Sequence, residues 1–185
     1  MSWWDNNVSI DVFKRWVKGA SAPSRKYVRD YILNKNYRSV IDVGAGLCED
    51  YYAYLEASGL VHYNAVDITD KFVEYSKKVG IHIFNESSEK MHFADMVVDI
   101  AYCRHLIEHI EYYEKTIDEM IRVSMKEIII TFFLPPHDKE DEIKLNNNLH
   151  HNIYNKGKIE QYLWKNPRVY DVKWENFDKD EMILF

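Results

Sequence analysis

Two short stretches of this chain have residue types suited to holding a ligand. Asp42-Val-Gly-Ala-Gly46 puts Gly44, Ala45 and Gly46 straight after the apolar run Ser39 to Val43. Glycines at such a turn let the backbone approach a ligand with no Cβ in the way. A helix starting just after them offers unpaired N–H groups. Asp67 ends the next apolar run, Val61 to Val66. A carboxylate there can accept both hydroxyls of a ribose, and dinucleotide-binding folds place an acid about 20 residues past their glycines. Plainer roles also fit: a tight turn at Gly44–Gly46, and a helix N-cap in Asp67-Ile-Thr-Asp70. A dinucleotide site calls for G-x-G-x-x-G. Here Glu49 stands at the third glycine, with Cys48 and Asp50 beside it. Carboxylates by the turn would repel a diphosphate but not an ammonium, so a nucleoside carrying an amino acid suits the turn better. A third stretch, His105-Leu-Ile-Glu108-His109, matches the inverted zinc-protease pattern H-x-x-E-H. Histidines at i and i+4 on a helix could share one zinc, with the glutamate as base. The pattern is short, and no metal is expected.

These residues need elements to position them. Apolar runs at Ser39–Val43, Val61–Val66, Ile81–Phe84, Val97–Cys103 and Glu127–Leu134 read as strands. Helical spacing marks Val8–Lys35 (broken at Gly19–Pro23), Glu49–Ala57, the stretch capped by Thr69 or Asp70 and running to Lys78, Glu111–Ser124 and Lys156–Trp164. Tyr27, Val28 and Tyr31 are expected to face inward from the first, and Tyr112, Ile117, Met120 and Ile121 from the fourth. Val169–Trp174 and Met182–Phe185 would close the chain as an antiparallel pair. Alternating strands and helices predict an α/β fold with a parallel sheet covered on both faces. Ligands bind such sheets beyond the carboxyl ends of their strands.

Four segments in series then resemble one family. Val40-Ile-Asp-Val-Gly-Ala-Gly46, Asn64-Ala-Val-Asp-Ile68, the stretch Glu86 to Asp99, and Tyr102-Cys-Arg-His-Leu-Ile-Glu-His-Ile110 are similar, in order and spacing, to motifs of the class I S-adenosylmethionine-dependent methyltransferases of the small-molecule branch. The similarity runs from Ser39 to Leu134. It implies a Rossmann-like, seven-stranded, mostly parallel sheet with helices on both faces and the last strand antiparallel. It implies S-adenosylmethionine as methyl donor, S-adenosylhomocysteine as product, and a small-molecule acceptor. Gly44, Ala45 and Gly46 would pass the methionine part, with Asp42 ordering the loop or meeting the amino group through water. Asp67 would hold the ribose and Ile68 one adenine face. Glu86, where the family usually has Asp, would accept from the adenine amino group, and Ser87 would offer its N–H to the ring. The Cys103 backbone would lie by the methionine, and Arg25 would reach its carboxylate. His92 replaces a usual proline, a change expected to affect packing. The other readings are a binding module that lost turnover, and a nucleotide-sugar or NAD-linked enzyme on a similar fold.

The segment after the fourth strand lacks the Asn/Asp-Pro-Pro-Tyr loop of base and glutamine methylation. It also lacks the Pro-Cys of cytosine carbon methylation and the clustered acids of metal-dependent transfer. Direct displacement at oxygen or nitrogen remains, a reaction that leans on proximity and orientation. The candidates for the acceptor side are His105, His109, His151 and Tyr154. The 185 residues suit one domain: an N-terminal helical cap (1–37), a cofactor core (38–134), a candidate lid (135–155), and a closing helix and strand pair (156–185). Trp3, Trp4 and Trp16 in the cap would join the lid around the acceptor. A hydrophobic content of 46% with 29% charged residues and a mean hydropathy of -0.45 predict a soluble protein. The net charge of -6 argues against nucleic acid as partner. The run Ile128–Leu134 is too short to span a bilayer, so no membrane association is expected. The N-terminus lacks signal-peptide features, which gives a cytoplasmic expectation. Cys48 and Cys103 form no CxxC pair and are expected as buried thiols.

Overall fold

Val40, Ile41 and Val43 are β-branched and fully buried, and they build the central strand β1 (Ser39–Val43). The computed structural model describes residues 2–17, 22–58, 62–178 and 181–185. In it, β1 pairs in parallel with β2 (His62–Asp67) on one side and β4 (Val98–Arg104) on the other. β3 (Phe84–Asn85) continues beyond β2, and β5 (Ser124–Phe132) beyond β4. β8 (Trp174–Asp178) and β9 (Glu181–Leu184) close the far edge, with β9 antiparallel to both β5 and β8. The sheet order is β3-β2-β1-β4-β5-β9-β8. It reverses between β1 and β4, the switch point at which such sheets open a ligand crevice.

Successive residues of β1 face opposite sides, and a layer covers each. Ile41 and Val43 pack with Ile117, Met120 and Ile121 of α6 (Glu114–Val123) and with Ile159 and Leu163 of α7 (Lys156–Leu163). Val40 packs with Val28 and Ile32 of α3 (Pro23–Asn34) and Tyr54 of α4 (Tyr51–Ser58). Val73 of α5 (Asp70–Lys78) joins Ala45, Cys48 and Ala65. Before this core run two short helices, α1 (Trp3–Asn7) and α2 (Ile10–Val17). Between β5 and α7 the chain adds a small hairpin, β6 (Leu145–Asn146) with β7 (Leu149–His150). No helix among the described residues is long and apolar enough to cross a membrane.

The seven-stranded sheet and its antiparallel last strand are as the sequence predicts; several boundaries are not. The first helical segment begins at Trp3 and is interrupted at Val8 and Ser9, since the buried Val8 is extended and closes α1. Residues 19–21 of its predicted break lie outside the described residues. Ile81 and Ile83 are buried but unpaired, so the third strand shrinks to Phe84–Asn85. The closing pair starts at Trp174, because Val169 and Val172 pack into the core without pairing. Tyr112 and Tyr27 are exposed while their neighbours Tyr113 and Val28 are buried. Cys48 and Cys103 are both buried and free.

One buried ion pair ties the layers together. Arg25 on α3 donates to Asp50 at 2.6 Å, with Arg29 adding a contact at 3.2 Å. Both Arg25 and Asp50 are buried. Removing one partner of such a pair strands the other charge, at a cost of about 3–5 kcal/mol, whereas replacing both with apolar residues is far milder. Asp50→Ala is therefore expected to destabilise the fold by about 3 kcal/mol or more, and Arg25→Met with Asp50→Leu by much less, as read by urea denaturation.

Candidate functional site

The turn after β1 needs its glycines. Gly44 and Gly46 have φ of 69° and 56°, in the left-handed region. A Cβ on Gly44 would come within 2.9 Å of Leu106, and one on Gly46 within 3.0 Å of the Phe13 ring. The N–H groups of Gly44 and Ala45 both donate to the Val66 carbonyl, at 2.9 and 3.0 Å. Asp67 completes the tie: Oδ2 accepts from Gly46 N and Oδ1 from Thr69 N, each at 2.8 Å. Burial pushes its carboxyl upward, and the two N–H donors oppose the shift.

This corner opens into a cavity of about 830 Å³. Gly44, Ala45, Gly46, Asp67, Ile68, Glu86, Ser87 and Arg25 line one part of it. Ile68 lays an exposed side chain beside Asp67. Glu86 carries a contact the sequence reading did not include: Oε1 meets His92 Nδ1 at 2.6 Å, and Oε2 accepts from His92 N at 3.0 Å. His92 is thus a partner of Glu86 as well as a packing substitute for proline. Two expected members lie outside the lining. Asp42 is buried beneath the turn, accepting from the Tyr63 hydroxyl at 2.6 Å, and burial with the nearby Asp50 charge lifts its carboxyl to about 7. Cys103 lies wholly in the core, and the cavity wall begins with Arg104. Neither Glu49 nor Asp50 faces the cavity, and Asp50 is engaged by Arg25. The repulsion of a diphosphate expected from these two acids is therefore not realised.

The other part of the cavity is lined by rings. Trp3, Trp4, His105, His109, Phe133 and His151 meet there. His105 has a φ of 56°, unusual for a non-glycine, and its N–H donates to the Thr131 carbonyl at 2.9 Å. The sharp turn removes the helix on which a shared zinc would depend: only Ile107–His109 form a 3₁₀ turn. Glu108 faces away from the cavity, its Oε1 accepting from the N–H groups of Phe133 (2.6 Å) and Leu134 (3.3 Å). The His105 ring is held at both nitrogens. Arg104 can only donate, so Nδ1 accepts from it at 3.1 Å and Nε2–H faces Glu181 at 2.9 Å. His109 has its Nδ1 2.8 Å from the His150 carbonyl, which fixes the proton on Nδ1 and leaves the Nε2 lone pair available. Tyr154 was an acceptor-side candidate, but it is buried away from the cavity. Its hydroxyl donates to the Ile110 carbonyl at 2.7 Å and accepts from Asn152.

Arg104, Phe133 and Glu181 are lining residues that the sequence reading missed. Phe133 had a readable signal, its place just past a parallel strand. Glu181 had none, because it arrives only through the antiparallel pairing of β9. The insertion and the N-terminal cap meet over this part: the Trp3 indole N–H donates to the Asn147 carbonyl. Asp5 and Ser2 seat α1 on the start of α5 through Lys71 N (3.0 Å) and the Thr69 hydroxyl (3.1 Å).

Burial drives His109 down to about 4, with the neighbouring His151 and His150 adding to the shift. A histidine depressed from its ordinary value of 6.5 is neutral in the fold, while the unfolded chain takes up a proton as the pH falls from 6.5 to 4. Stability from this residue is therefore lost on acidification through that window. Glu108, raised to about 7 by burial, contributes with the opposite sign, so the test is differential. Wild type is expected to lose stability relative to His109→Phe between pH 6.5 and 4, as measured by urea denaturation across that range.

Residues 41–129 match the methyltransferase domain family. No curated protein matches the chain. Among solved structures, it is similar to the YcgJ protein of Bacillus subtilis (18% identity, TM-score 0.58, covering 76% of this chain and 64% of that one, just under two thirds). It is similar to an S-adenosylmethionine-dependent methyltransferase of Aquifex aeolicus (18% identity, TM-score 0.62, covering 92% and 95%). It is also similar to the 1,6-didemethyltoxoflavin-N1-methyltransferase of Burkholderia thailandensis, solved with its substrate and S-adenosylhomocysteine (15% identity, TM-score 0.68, covering 94% and 80%). At these identities the likeness is one of fold. The chain thus carries a methyltransferase-domain match over residues 41–129, with the glycine turn and Asp67 at the switch point, on a fold shared with S-adenosylmethionine-dependent methyltransferases.

Proposed function

We propose that the chain methylates an oxygen or nitrogen of a small acceptor, with S-adenosylmethionine held along Gly44–Gly46, Asp67 and Ile68 and the acceptor beside His109 and His151. The carrying observation is the single cavity that joins the Asp67 corner to the ring-lined part. Its volume lies high in the range of about 300–1,000 Å³ usual for one drug-sized ligand, which suits a nucleoside cofactor with a small second molecule. The Burkholderia enzyme, named for methylation of a small heterocycle, supports an acceptor of that size on this fold.

The residues suit the cofactor. Each Asp67 oxygen accepts one backbone N–H, which leaves lone pairs for two ribose hydroxyls. Ile68 offers an apolar surface for the base, and Glu86 has acceptor capacity beyond what His92 uses. Arg25 lines the cavity with a buried Nε that has no partner, which suits a carboxylate. Bound there, the cofactor supplies an electrophilic methyl group on a sulfonium. The protein's part is to orient the acceptor and exclude water. His151 belongs to that task, as its ring stands edge-on to His109 at 5.2 Å. Residues 135–155 would act as a lid, with Trp3 and Asn147 as its clasp.

S-adenosylhomocysteine is expected to bind, without competition from NAD. Asp67→Ala should weaken binding at least ~10-fold, since a lost charged hydrogen-bond partner costs roughly 1.5–3 kcal/mol. Calorimetry showing no binding, or unchanged binding in the variant, refutes the reading. Exchange of amide hydrogens across 135–155 should slow when cofactor and acceptor are both present; unchanged exchange makes that segment a connector.

A further inference from the structure

The ring-lined part of the cavity has a specific composition. His109 stands 5.2 Å from Trp4, 5.3 Å from Phe133 and 5.2 Å from His151, measured between ring centres. Trp3 extends this wall, edge-on to Trp4 at 5.2 Å, and His105 extends it at 5.1 Å from Phe133. Ring faces and edges of this kind favour a flat π-system through offset and edge-to-face contact.

The charged side chains lining the cavity already have partners. Arg104 pairs with Glu181 at 2.6 Å, Arg25 with Asp50, Glu86 with His92 and Glu89 with Lys115. Asp67 accepts two backbone N–H groups at the cofactor corner. In the ring-lined part Arg104 and Glu181 engage each other, and burying an unpaired charge against this wall would be costly. One polar group in the wall stands ready: with Nδ1–H given to the His150 carbonyl, His109 presents Nε2 as an acceptor with no hydrogen-bond partner among the described residues.

We propose that the acceptor is an uncharged, flat aromatic or heteroaromatic molecule bearing an O–H or N–H, seated among Trp4, Phe133 and His151 with that hydrogen donated to Nε2 of His109. The proposal rests on the methyl-transfer reading above. The step balances without a further reagent. The acceptor's oxygen or nitrogen forms the bond to the methyl carbon, the carbon–sulfur bond breaks with its electron pair going to sulfur, and the acceptor's proton passes to Nε2. The resulting imidazolium keeps its Nδ1–H on the His150 carbonyl. Burial holds this histidine near 4 and hence neutral. So weak a base is better matched to an acidic aromatic O–H or N–H than to an aliphatic alcohol.

The probe is 2-naphthol, titrated into protein saturated with S-adenosylhomocysteine, beside decahydro-2-naphthol and 2-naphthalenesulfonate. Binding of 2-naphthol at a Kd of roughly 1 mM or tighter is expected, about tenfold or more ahead of the saturated and the anionic analogues. His109→Phe keeps a ring but removes the acceptor, and is expected to weaken 2-naphthol about tenfold while leaving S-adenosylhomocysteine binding and circular dichroism unchanged. In wild type, the ¹⁵N resonance of the unprotonated His109 nitrogen should move upfield as 2-naphthol is added. Equal affinity for the three probes, or no binding of 2-naphthol, overturns the aromatic acceptor. Affinity indifferent to His109→Phe, with an unmoved resonance, overturns the role of Nε2. Loss of S-adenosylhomocysteine binding, measured first on the same sample, overturns the methyl-transfer reading and this proposal with it.

Discussion

The carboxylate of Asp67 joins the ends of two strands. It accepts from Gly46 on the turn after β1 and from Thr69 at the head of α5. The turn then lies against the end of β2, where the Val66 carbonyl receives Gly44 and Ala45. A backbone this tightly drawn excludes a Cβ at Gly44 and Gly46, and lets Leu106 and Phe13 pack directly on it. The same side chain thus shapes the turn and faces the cavity, so the shape of this corner and its hydrogen-bonding capacity depend on one residue.

A second buried carboxylate has the same role on the other side of the switch point. Glu108 receives the N–H groups that follow β5, and its own carbonyl receives Asn152 N at 2.9 Å. The turn after β4, the end of β5 and the insertion therefore converge on it. Its Oε2 is buried without a partner, and its carboxyl is raised to about 7. Burial is the main cause, and a protonated or weakly charged Glu108 avoids most of the penalty of an isolated charge. His105 and His109 flank this anchor and inherit their positions from it.

Much of the architecture was readable because β1 is a near-continuous apolar run, β2, β4 and β5 carry short apolar stretches, and the glycines and acids stand at strand ends. Boundaries failed where burial and pairing part company. Ile81 and Ile83 read as strand because they are buried, yet they make no ladder. The segment before β8 is held as irregular chain by Arg168, which donates to the carbonyls of Ile121 and Ser124. In the site, residues placed by the local chain were legible: Gly44, Gly46, Asp67, Ile68 and His109. Those placed by folding were not. Arg104 meets Glu181 only because β9 returns beside β5, and nothing local turns the Tyr154 hydroxyl toward Ile110.

The Trp3–Asn147 contact joins residues 144 apart in sequence. Five residues are far too few for a helix to persist in isolation, so α1 is ordered by its seat on α5 and by this clasp. The hairpin it meets is equally short, with two residues in each strand. Both can detach without breaking a single ladder of the seven-stranded sheet, and local openings of this kind cost far less than global unfolding. Over the ring-lined part, the cavity is therefore bordered by two short elements that stand outside the seven-stranded sheet. An opening of either piece would bare the ring-lined part while leaving the sheet that carries Asp67 undisturbed.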